Sequence, residues 1–476
     1  MRAAIAAETA GIPSVSIVCR GFEKQASATG RGLGFDGLRL AVLDGHVDAQ
    51  SAEVMLERFD AVTVDQVVDG LVGQLDDASH AESKTAEPSA LDIVATGTAE
   101  QINAEFLARG WTDGNPILPP TRAAVEALLA AGGHDPWAVL GIATSSGRDM
   151  TKWSVAVNAV MAGCTAEHIP VLMAAAQILA DPHYGVEHSG NTTGADALMI
   201  VSGPEISGLG FNSGVGALRE GTHANTAVGR WLRLYLRNVF GFTTDEHDKA
   251  TFGNSTRVVL AEDHETLIEL GWPSLGADLG ATAPDITSIA RMNTGIIVGS
   301  VFGSTPEAIL PYLGDGLARS AGWDLTHLYG LGREQFRPLI VLSPVLARTF
   351  ANAGWTKQDV RAGLFAHARI PAWRFEKLIG DWSNLTPGRL TLVEHVELGN
   401  IDAMFAESDD PDRLVPIVAA PEQIMVAVAG DPNRTNAFVF ANDGAHGDWT
   451  TAPVQMASVD DLSCLVPDQE SGPPPQ

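Results

Sequence analysis

One cysteine in the middle of the chain has neighbours that suit thiol chemistry. In the stretch NAVMAGCTAEHIPVLMAA, Cys164 lies between two apolar helical segments, with His168 four positions further on. A thiol at a helix start faces unpaired N–H groups, and a neighbouring imidazolium lowers its pKa further below the free value of about 8.5. The pattern predicts Cys164 as a nucleophile or redox thiol and His168 as its base or ion-pair partner. The alternative is a buried cysteine that acts as a small apolar side chain.

A glycine-rich loop and the helix after it supply candidate ligands for an anion. The segment NSGVGALREGTHANTAVGRWLRLYLRN carries Arg230, Arg233 and Arg237 in a chain with few cations. A guanidinium binds carboxylate or phosphate with two parallel hydrogen bonds, and N–H groups at a helix start favour the same charge. We therefore expect Arg230 and Arg233 to hold a small anionic substrate, unless they pair with acidic residues of the protein itself. The other predicted substrate-binding residues are Asn212, Ser213, His223, Asn225, Asp113 and Thr192.

The segment HYGVEHSGNTTGAD offers a possible metal site. His183, Glu187 and His188 are close in sequence, and His223 or His247 could complete a divalent-metal set. The spacing differs from HExxH, so neither the metal nor any cofactor is specified. A metal-assisted lyase or hydratase is the function that this pattern would support.

A stiff arm precedes these segments. The stretch WTDGNPILPPT joins a turn at Asp113 and Gly114 to an extended proline segment. Such an arm either lines a pocket, with Trp111 and Asp113 as contacts, or straps parts of the domain together.

Composition limits the possible partners. The 476 residues include 58 acidic and 30 basic ones, which gives a formal charge of −28. A field of that sign repels phosphate backbones and anionic lipid, so we expect neither nucleic acid nor a membrane as a partner. No window reaches the roughly 18 apolar residues of a membrane span. Three scattered cysteines favour free thiols and a cytoplasmic protein.

The pattern of elements predicts an α/β protein in two parts. Residues 1–76 form a small, incomplete βα segment, 77–97 a polar linker, and 98–466 a larger mixed α/β domain that carries the site. A proline-rich tail over 467–476 is expected to be disordered. Two strands cannot form a covered sheet alone, so the first segment should pair with another chain, in a homo-oligomer or with a partner subunit.

Periodicity gives approximate bounds for the elements of the larger domain. Helices are predicted at 99–109, 121–131, 152–162, 166–180, 222–240, 305–314, 344–353, 356–367 and 371–379. Strands are predicted at 197–203, 256–262, 295–301, 337–343, 414–418 and 424–429.

Four ordered motifs resemble bacterial proteins found with, or fused to, the UGSC-motif (seleno)protein domain. They span Gly110–Leu129, Val157–Ala175, Leu209–Gly241 and Asp248–Asn254. Residues 1–60 resemble the latter half of the UGSC domain itself, after its U/C-G-S-C motif. No C-G-S-C occurs in this chain, so either the sequence begins downstream of the motif or this member has lost it.

Two classes of function follow. The resemblance implies a redox module, and with Cys164 it predicts a thiol-dependent enzyme that cleaves or reduces a small anionic organic molecule. The metal-assisted lyase or hydratase is the alternative within the enzyme class. The missing motif and the incomplete sheet instead favour a non-catalytic partner subunit of a redox complex.

Overall fold

A computed structural model shows an α/β protein, as the sequence predicts, with helices packed on a central mixed sheet. The description of the structure covers residues 1–35, 37–46, 50–73, 88–130, 135–254, 257–328, 335–382, 389–443 and 448–456. Most of the predicted linker (77–87) and the whole predicted tail lie outside these ranges, and the domain boundaries stay predictions. No helix in the described ranges has both the length and the apolar character needed to cross a bilayer.

The N-terminal segment is a small βα unit. Its two strands pair in parallel, with Ser16 opposite Leu40, and no further strand joins them within the described residues. The segment contacts the larger part through an ion pair between Lys24 and Asp245 (2.8 Å). Its elements are α1 (Arg2–Thr9), β1 (Ser16–Cys19), α2 (Glu23–Gly32), β2 (Leu40–Leu43), α3 (Ala52–Arg58), a π-helical turn (Phe59–Thr63) and α4 (Val64–Val72).

Strand β7 (Ile286–Val298) is the axis of the central sheet. One edge of β7 pairs with β5, and the other pairs first with β13 and then, further along, with β12. The order is β11-β8-β12-β7-β5-β6, with β13 also on β7. These strands are β5 (Asp196–Ser202), β6 (Leu260–Ala261), β8 (Leu339–Leu342), β11 (Met425–Val428), β12 (Ala437–Asn442) and β13 (Thr450–Pro453).

Helices cover the sheet on both sides of β7. The other elements of the larger part include two small antiparallel pairs, β3 with β4 and β9 with β10. The helices are α5 (Ala99–Ala108), α6 (Arg122–Ala130), α7 (Lys152–Ala162), α8 (Ile169–Ala180), α9 (Pro204–Ser207), α10 (His223–Asn238), α11 (His264–Leu270), α12 (Leu275–Asp278), α13 (Pro306–Ser320), α14 (Pro344–Asn352), α15 (Lys357–His367), α16 (Ala372–Ile379) and α17 (Leu392–Glu397). Short 3-10 helices are Ala166–His168, Val186–His188, Trp323–Leu328, Ala403–Ala406 and Pro421–Gln423, and the small strands are β3 (Val139–Ala143), β4 (Arg148–Thr151), β9 (Arg369–Pro371) and β10 (Leu414–Pro416).

Two separate apolar cores lie on the same face of the sheet. Because side chains alternate along a strand, Met199 and Ile289 share one face with Val439 and Ile340. Met199 and Ile289 belong to the core under α7, α8 and α10, whereas Val439 and Ile340 belong to the core under α13 to α16. The seam between these two cores follows β7.

The predicted strand at 295–301 covers only the last four residues of β7 and runs three residues beyond its end, whereas β7 begins nine residues earlier, at Ile286. The polar side chains of Arg291 and Asn293 interrupt the apolar pattern that strand prediction relies on. Strand β12 was not predicted at all, since FVFAND is a short apolar run beside turn residues. The predicted helix at 166–180 begins instead as a 3-10 turn and becomes α-helical at Ile169.

Candidate functional site

Cys164 is sealed in the core under α7, α8 and α10. Its side chain is 7% exposed, and Gly163 before it ends α7 in the left-handed conformation (φ 86°). Burial in this apolar surrounding raises the pKa of the Cys164 thiol to about 12. The prediction of a thiol with a lowered pKa is therefore wrong, because desolvation outweighs the field of the helix start.

His168 caps its own helix and is not an ion-pair partner for a thiolate. Its ring nitrogen Nδ1 accepts a hydrogen bond from the backbone N–H of Thr165 (3.2 Å). Burial and the neighbouring His223, whose ring centre is 5.8 Å away, both lower the pKa of His168. The Nε2 atom of His223 lies 2.9 Å from the carbonyl oxygen of Gly163. His168 and His223 thus lie beside each other, and the lowered pKa of His168 disfavours its protonated form.

We expect Cys164 to resist alkylation in the folded protein. At pH 8, iodoacetamide should label Cys19, which is partly exposed, well before Cys164, because a buried thiol with a pKa of about 12 provides almost no thiolate. Peptide mass spectrometry after timed quenching measures both sites. Rapid labelling of Cys164 with an apparent pKa below 8 would restore the thiol hypothesis.

The predicted anion-binding arginines are engaged within the protein. Arg230 forms a bidentate pair with Asp113, with both N–O distances 2.9 Å. Arg233 pairs with Asp196 (2.6 Å) and also donates to the carbonyl oxygen of Ala197. Both guanidinium groups therefore have acidic partners within the protein, which is the alternative that the sequence left open, and a substrate role for them stays a prediction.

The proline arm is a strap that α10 holds in place. Besides Asp113, Arg230 contacts the carbonyl oxygen of Pro116 (2.7 Å), and Arg237 donates to that of Gly110 (3.2 Å). Asn238 donates to the carbonyl oxygen of Trp111 (3.2 Å). The strap alternative is therefore the one that the contacts support.

The glycine-rich loop is held by one buried amide. Asn225 accepts from the backbone N–H of Asn212 (2.7 Å) and donates to the carbonyl oxygens of Asn212 and Val259. The carbonyl oxygen of Ser213 accepts from the N–H of Gly430 (2.7 Å). A substrate role for these residues stays a prediction, and these hydrogen bonds fix the shape of the loop.

The predicted metal ligands are dispersed. Glu187 pairs with Arg2 (3.0 Å), and the His183 ring lies 3.8 Å from Asp448. The described part of the chain contains no group of three or more His, Cys, Asp or Glu side chains that could hold a metal ion. The proposed set of His183, Glu187 and His188 is therefore not assembled.

A β-bulge in β7 directs an amide into the seam between the two cores. Ala441 pairs with Thr294 and the next residue, Asn442, pairs with Met292, so Asn293 is the extra residue of β7. Bulges re-aim a side chain and occur often beside active sites. Here the bulge lies just after the point where the edge of β7 changes partner from β13 to β12.

The amide of Asn293 joins two buried carboxyl groups. Its Nδ2 atom donates to Asp324 (2.7 Å) and to Asp443 (3.0 Å). Asp324 lies on the 3-10 helix after α13, and Asp443 follows β12 directly. Burial raises the pKa of Asp324 to about 7. The charge of Asp443 also raises this pKa, whereas the hydrogen bond from Asn293 lowers it. Asp324 can therefore hold a proton near neutral pH.

Arg291 gives Asp443 a different environment from that of Asp324. The Arg291 side chain is fully buried, and its Nε atom lies 3.7 Å from a carboxyl oxygen of Asp443. Its Nη1 atom donates to the carbonyl oxygens of Tyr184 (3.0 Å) and Gly185 (3.1 Å). A guanidinium beside Asp443 stabilises the charged carboxylate, whereas Asp324 has amide and backbone partners but no such cation among the described residues. Two neighbouring carboxyls in unlike environments suit an acid and a base.

The polar turn at 191–193, part of the segment HYGVEHSGNTTGAD, holds the side chains of Asp443 and Asn293 in place. Asn191 donates to the second oxygen of Asp443 (2.7 Å), and the Thr193 hydroxyl contacts the amide oxygens of Asn191 (2.8 Å) and Asn293 (3.2 Å). Thr192, a predicted substrate ligand, is exposed and accepts from the N–H of Thr251 through its backbone oxygen. Thr193 and Thr192 thus lie at the solvent side of the buried network.

A polar cleft of about 560 Å³ shares its walls with the same elements. Leu328 lines the cleft from the 3-10 helix of Asp324, and Gln335 and Arg337 line it from the segment before β8. The side-chain amide of Asn442, the residue before Asp443, accepts from the backbone N–H of Arg337 and donates to the backbone carbonyl oxygen of Gln335. Asp448, which also lines the cleft, pairs with Arg337 (3.4 Å). The cleft therefore borders the elements that hold the carboxyl pair.

Sequence reasoning missed most of this network. Asn191 was within a quoted polar turn, but Asp324 and Asp443 follow elements whose ends were not predicted. The available signal was a pair of polar residues two positions apart, Arg291 and Asn293, inside an otherwise apolar strand.

The fold and the site define an α/β protein with a buried carboxyl pair at the seam of its central sheet. Residues 1–73 match the family model described as UGSC family, which confirms the resemblance for the N-terminal segment. No curated protein matches the chain. The match ends before the carboxyl pair, so the resemblance carried by the four motifs between Gly110 and Asn254 stays a prediction, and the family match assigns no role to this site.

Proposed function

We propose that this protein is an enzyme of the lyase, hydratase or isomerase type that transfers protons at Asp324 and Asp443. The observation that carries the proposal is the Asn293 amide, which the bulge in β7 places between two buried carboxyl groups. A purely structural role needs only one carboxylate for Arg291. A second buried carboxyl with no cation of its own costs stability, and such costs cluster at functional sites.

The two carboxyls divide the chemistry between them. In an elimination, the Asp443 carboxylate removes a proton from carbon, and the electrons of that C–H bond form the new double bond. The leaving group departs with its bonding pair and takes the proton of Asp324. No oxidant or reductant is needed. This is the lyase or hydratase alternative of the sequence, with carboxyl groups in place of the metal set.

The thiol-dependent function requires a reactive thiolate at Cys164. Burial raises the pKa of this thiol to about 12, which disfavours the thiolate. The sign of the substrate charge can no longer rest on Arg230 and Arg233, since both pair with carboxylates of the protein. We retain a small-molecule substrate, which the cleft beside the carboxyl pair would admit, and a cytoplasmic location suited to free thiols.

The experiment is a solvent-exchange screen in D2O. The full chain is incubated with pools of small polar metabolites, and mass spectrometry detects incorporated deuterium or a changed mass. We expect such a change with the wild-type chain and its loss in Asp324→Asn, which keeps the hydrogen bond from Asn293 possible. Equal conversion by both proteins, or none by either, would contradict the proposal.

A second candidate is an assembly subunit, in a homo-oligomer or with a partner. The N-terminal pair of strands has no further strand among the described residues, and its surroundings expose several large apolar side chains. These are Ile12, Ile17, Leu33, Val54, Leu56, Val64, Val68, Leu71 and Val72. Patches of this kind mark interaction surfaces. Sedimentation of the full chain tests this candidate, and a monomer at micromolar concentration would count against a homo-oligomer.

A further inference from the structure

We propose that the cleft beside the carboxyl pair binds a small organic cation that also carries a hydrogen-bond acceptor. The carboxylates of Asp402 and Glu422 would receive its ammonium group, and the amide of Gln423 would donate to its acceptor. This inference goes beyond the proposed function, because the cleft borders the elements that hold the carboxyl pair while Asn293, Asp324 and Asp443 are not among its lining residues. It reverses the sign of the substrate charge that the sequence predicts.

The two carboxylates lack cationic partners. Asp402 accepts only from the backbone N–H of Met404 (3.0 Å), as a helix cap, and Glu422 accepts from the side-chain amide of Gln358 (2.6 Å). Neither takes part in an ion pair within the described residues. Both line the cleft. Their charges are therefore uncompensated at its wall.

The cleft offers little to an anion. Its lining includes one guanidinium, that of Arg337, and Asp448 already pairs with it at 3.4 Å. Among the lining residues that the structure describes, three carboxylates therefore face one cation, so their summed charge is negative. Asp402 and Glu422 are both exposed to solvent, so their charges give the cleft a preference for one sign of ligand charge but only a modest affinity. The net field favours an ammonium group over a carboxylate.

Gln423 points to a second feature of the ligand. The residue is 93% buried, with 7% exposed, and lines the cleft. Its Oε1 atom accepts from the backbone N–H groups of Ala419 (2.7 Å) and Ala420 (3.3 Å), which fixes the orientation of the amide. Among the described residues, its Nε2 atom has no acceptor. The Nε2 atom is not among the fully buried side-chain atoms without a partner, so it is accessible and can donate to a ligand oxygen in the cleft.

Apolar side chains separate these polar groups. Ile401 and Phe405 line the cleft near Asp402, and Ala419 and Ala420 line it near Gln423. A short aliphatic chain would cover these surfaces while its two ends meet the polar groups. Amino amides and amino alcohols of four or five carbons have this pattern.

Matched probes separate the features in a calorimetric titration of the full chain. 4-Aminobutanamide carries both an ammonium group and an acceptor. Pentanamide is its uncharged isostere, n-pentylammonium lacks the acceptor, and succinamate carries the opposite charge. We expect 4-aminobutanamide to bind about tenfold more tightly than pentanamide or n-pentylammonium, since each lacks one polar contact. Succinamate should bind most weakly.

Two conservative variants test the contacts. Asp402→Asn and Glu422→Gln each keep an oxygen for the existing hydrogen bond but remove the charge. Each should lower the preference for 4-aminobutanamide over pentanamide several-fold. Glu265→Gln makes the same charge change at an exposed site outside the cleft and should leave the preference unchanged. Equal affinity for all four probes, or equal effects of the three variants, would overturn the inference.

The test is independent of the proposed chemistry. Asp324→Asn should bind 4-aminobutanamide as the wild type does, because the substitution lies outside the cleft lining. If the probes discriminate but deuterium exchange does not depend on Asp324, the cleft assignment stands and the acid–base function fails. If exchange depends on Asp324 but the probes do not discriminate, the reverse holds.

Discussion

Asp324→Asn is expected to lower the rate of deuterium incorporation by about 10²- to 10⁴-fold, the usual contribution of a positioned general acid or base. Asparagine has nearly the same shape and can still accept the hydrogen bond that Asn293 donates at 2.7 Å. The fold should therefore persist while the transferable proton is lost. Initial rates by mass spectrometry, with circular dichroism as a check on folding, measure the effect.

Cys164→Ala is the matched control for this prediction. The thiol hypothesis requires activity to disappear in this variant, whereas the carboxyl mechanism leaves it close to that of the wild type, since Cys164 lies in the core under α7, α8 and α10. The opposite pattern, with full activity in Asp324→Asn and none in Cys164→Ala, would return the function to the cysteine.

Arg291→Met is expected to lower the free energy of unfolding by about 3–5 kcal/mol, because it leaves the buried carboxylate of Asp443 without its cation. It also removes the donors to the carbonyl oxygens of Tyr184 and Gly185. Urea unfolding followed by tryptophan fluorescence measures the change at pH 7.

Arg230→Met supplies the comparison for Arg291. Arg230 also pairs with a carboxylate, that of Asp113, but its side chain is 23% exposed, so we expect a loss of only about 1 kcal/mol. Adding Asp443→Asn to Arg291→Met should recover part of the larger loss, since the unpaired charge is then gone. Equal losses for the two arginines would show that the buried pair has no special role.

The sequence predicted the elements better than the site. Helices with clear caps, such as the one after Thr98 with its capping box, have their predicted bounds to within a residue. Thr151 and Gly163 likewise mark the ends of α7. Local hydrogen bonds decide these features, so local sequence reveals them.

The site depends on contacts that local sequence does not carry. Asn293 and Asp324 are 31 residues apart along the chain (324 − 293), and Asp324 and Asp443 are 119 residues apart (443 − 324). A bulge and a change of strand partner in β7 bring the three side chains together. The error at Cys164 has a similar cause. The helix start was read correctly, but the depth of burial depends on how α7, α8 and α10 pack, and burial decides the pKa of the thiol.

The most direct test of the central claim is the pH dependence of stability, measured as the difference in unfolding free energy between the wild type and Asp324→Asn. Because burial raises the pKa of Asp324 from 3.8 to about 7, the folded protein holds a proton that the unfolded chain has released between these values. The wild type should therefore lose stability relative to Asp324→Asn as pH rises from about 4 to 7, by on the order of 4 kcal/mol, and level off above. A difference that stays constant across this range would contradict a protonated Asp324, and with it the acid–base site.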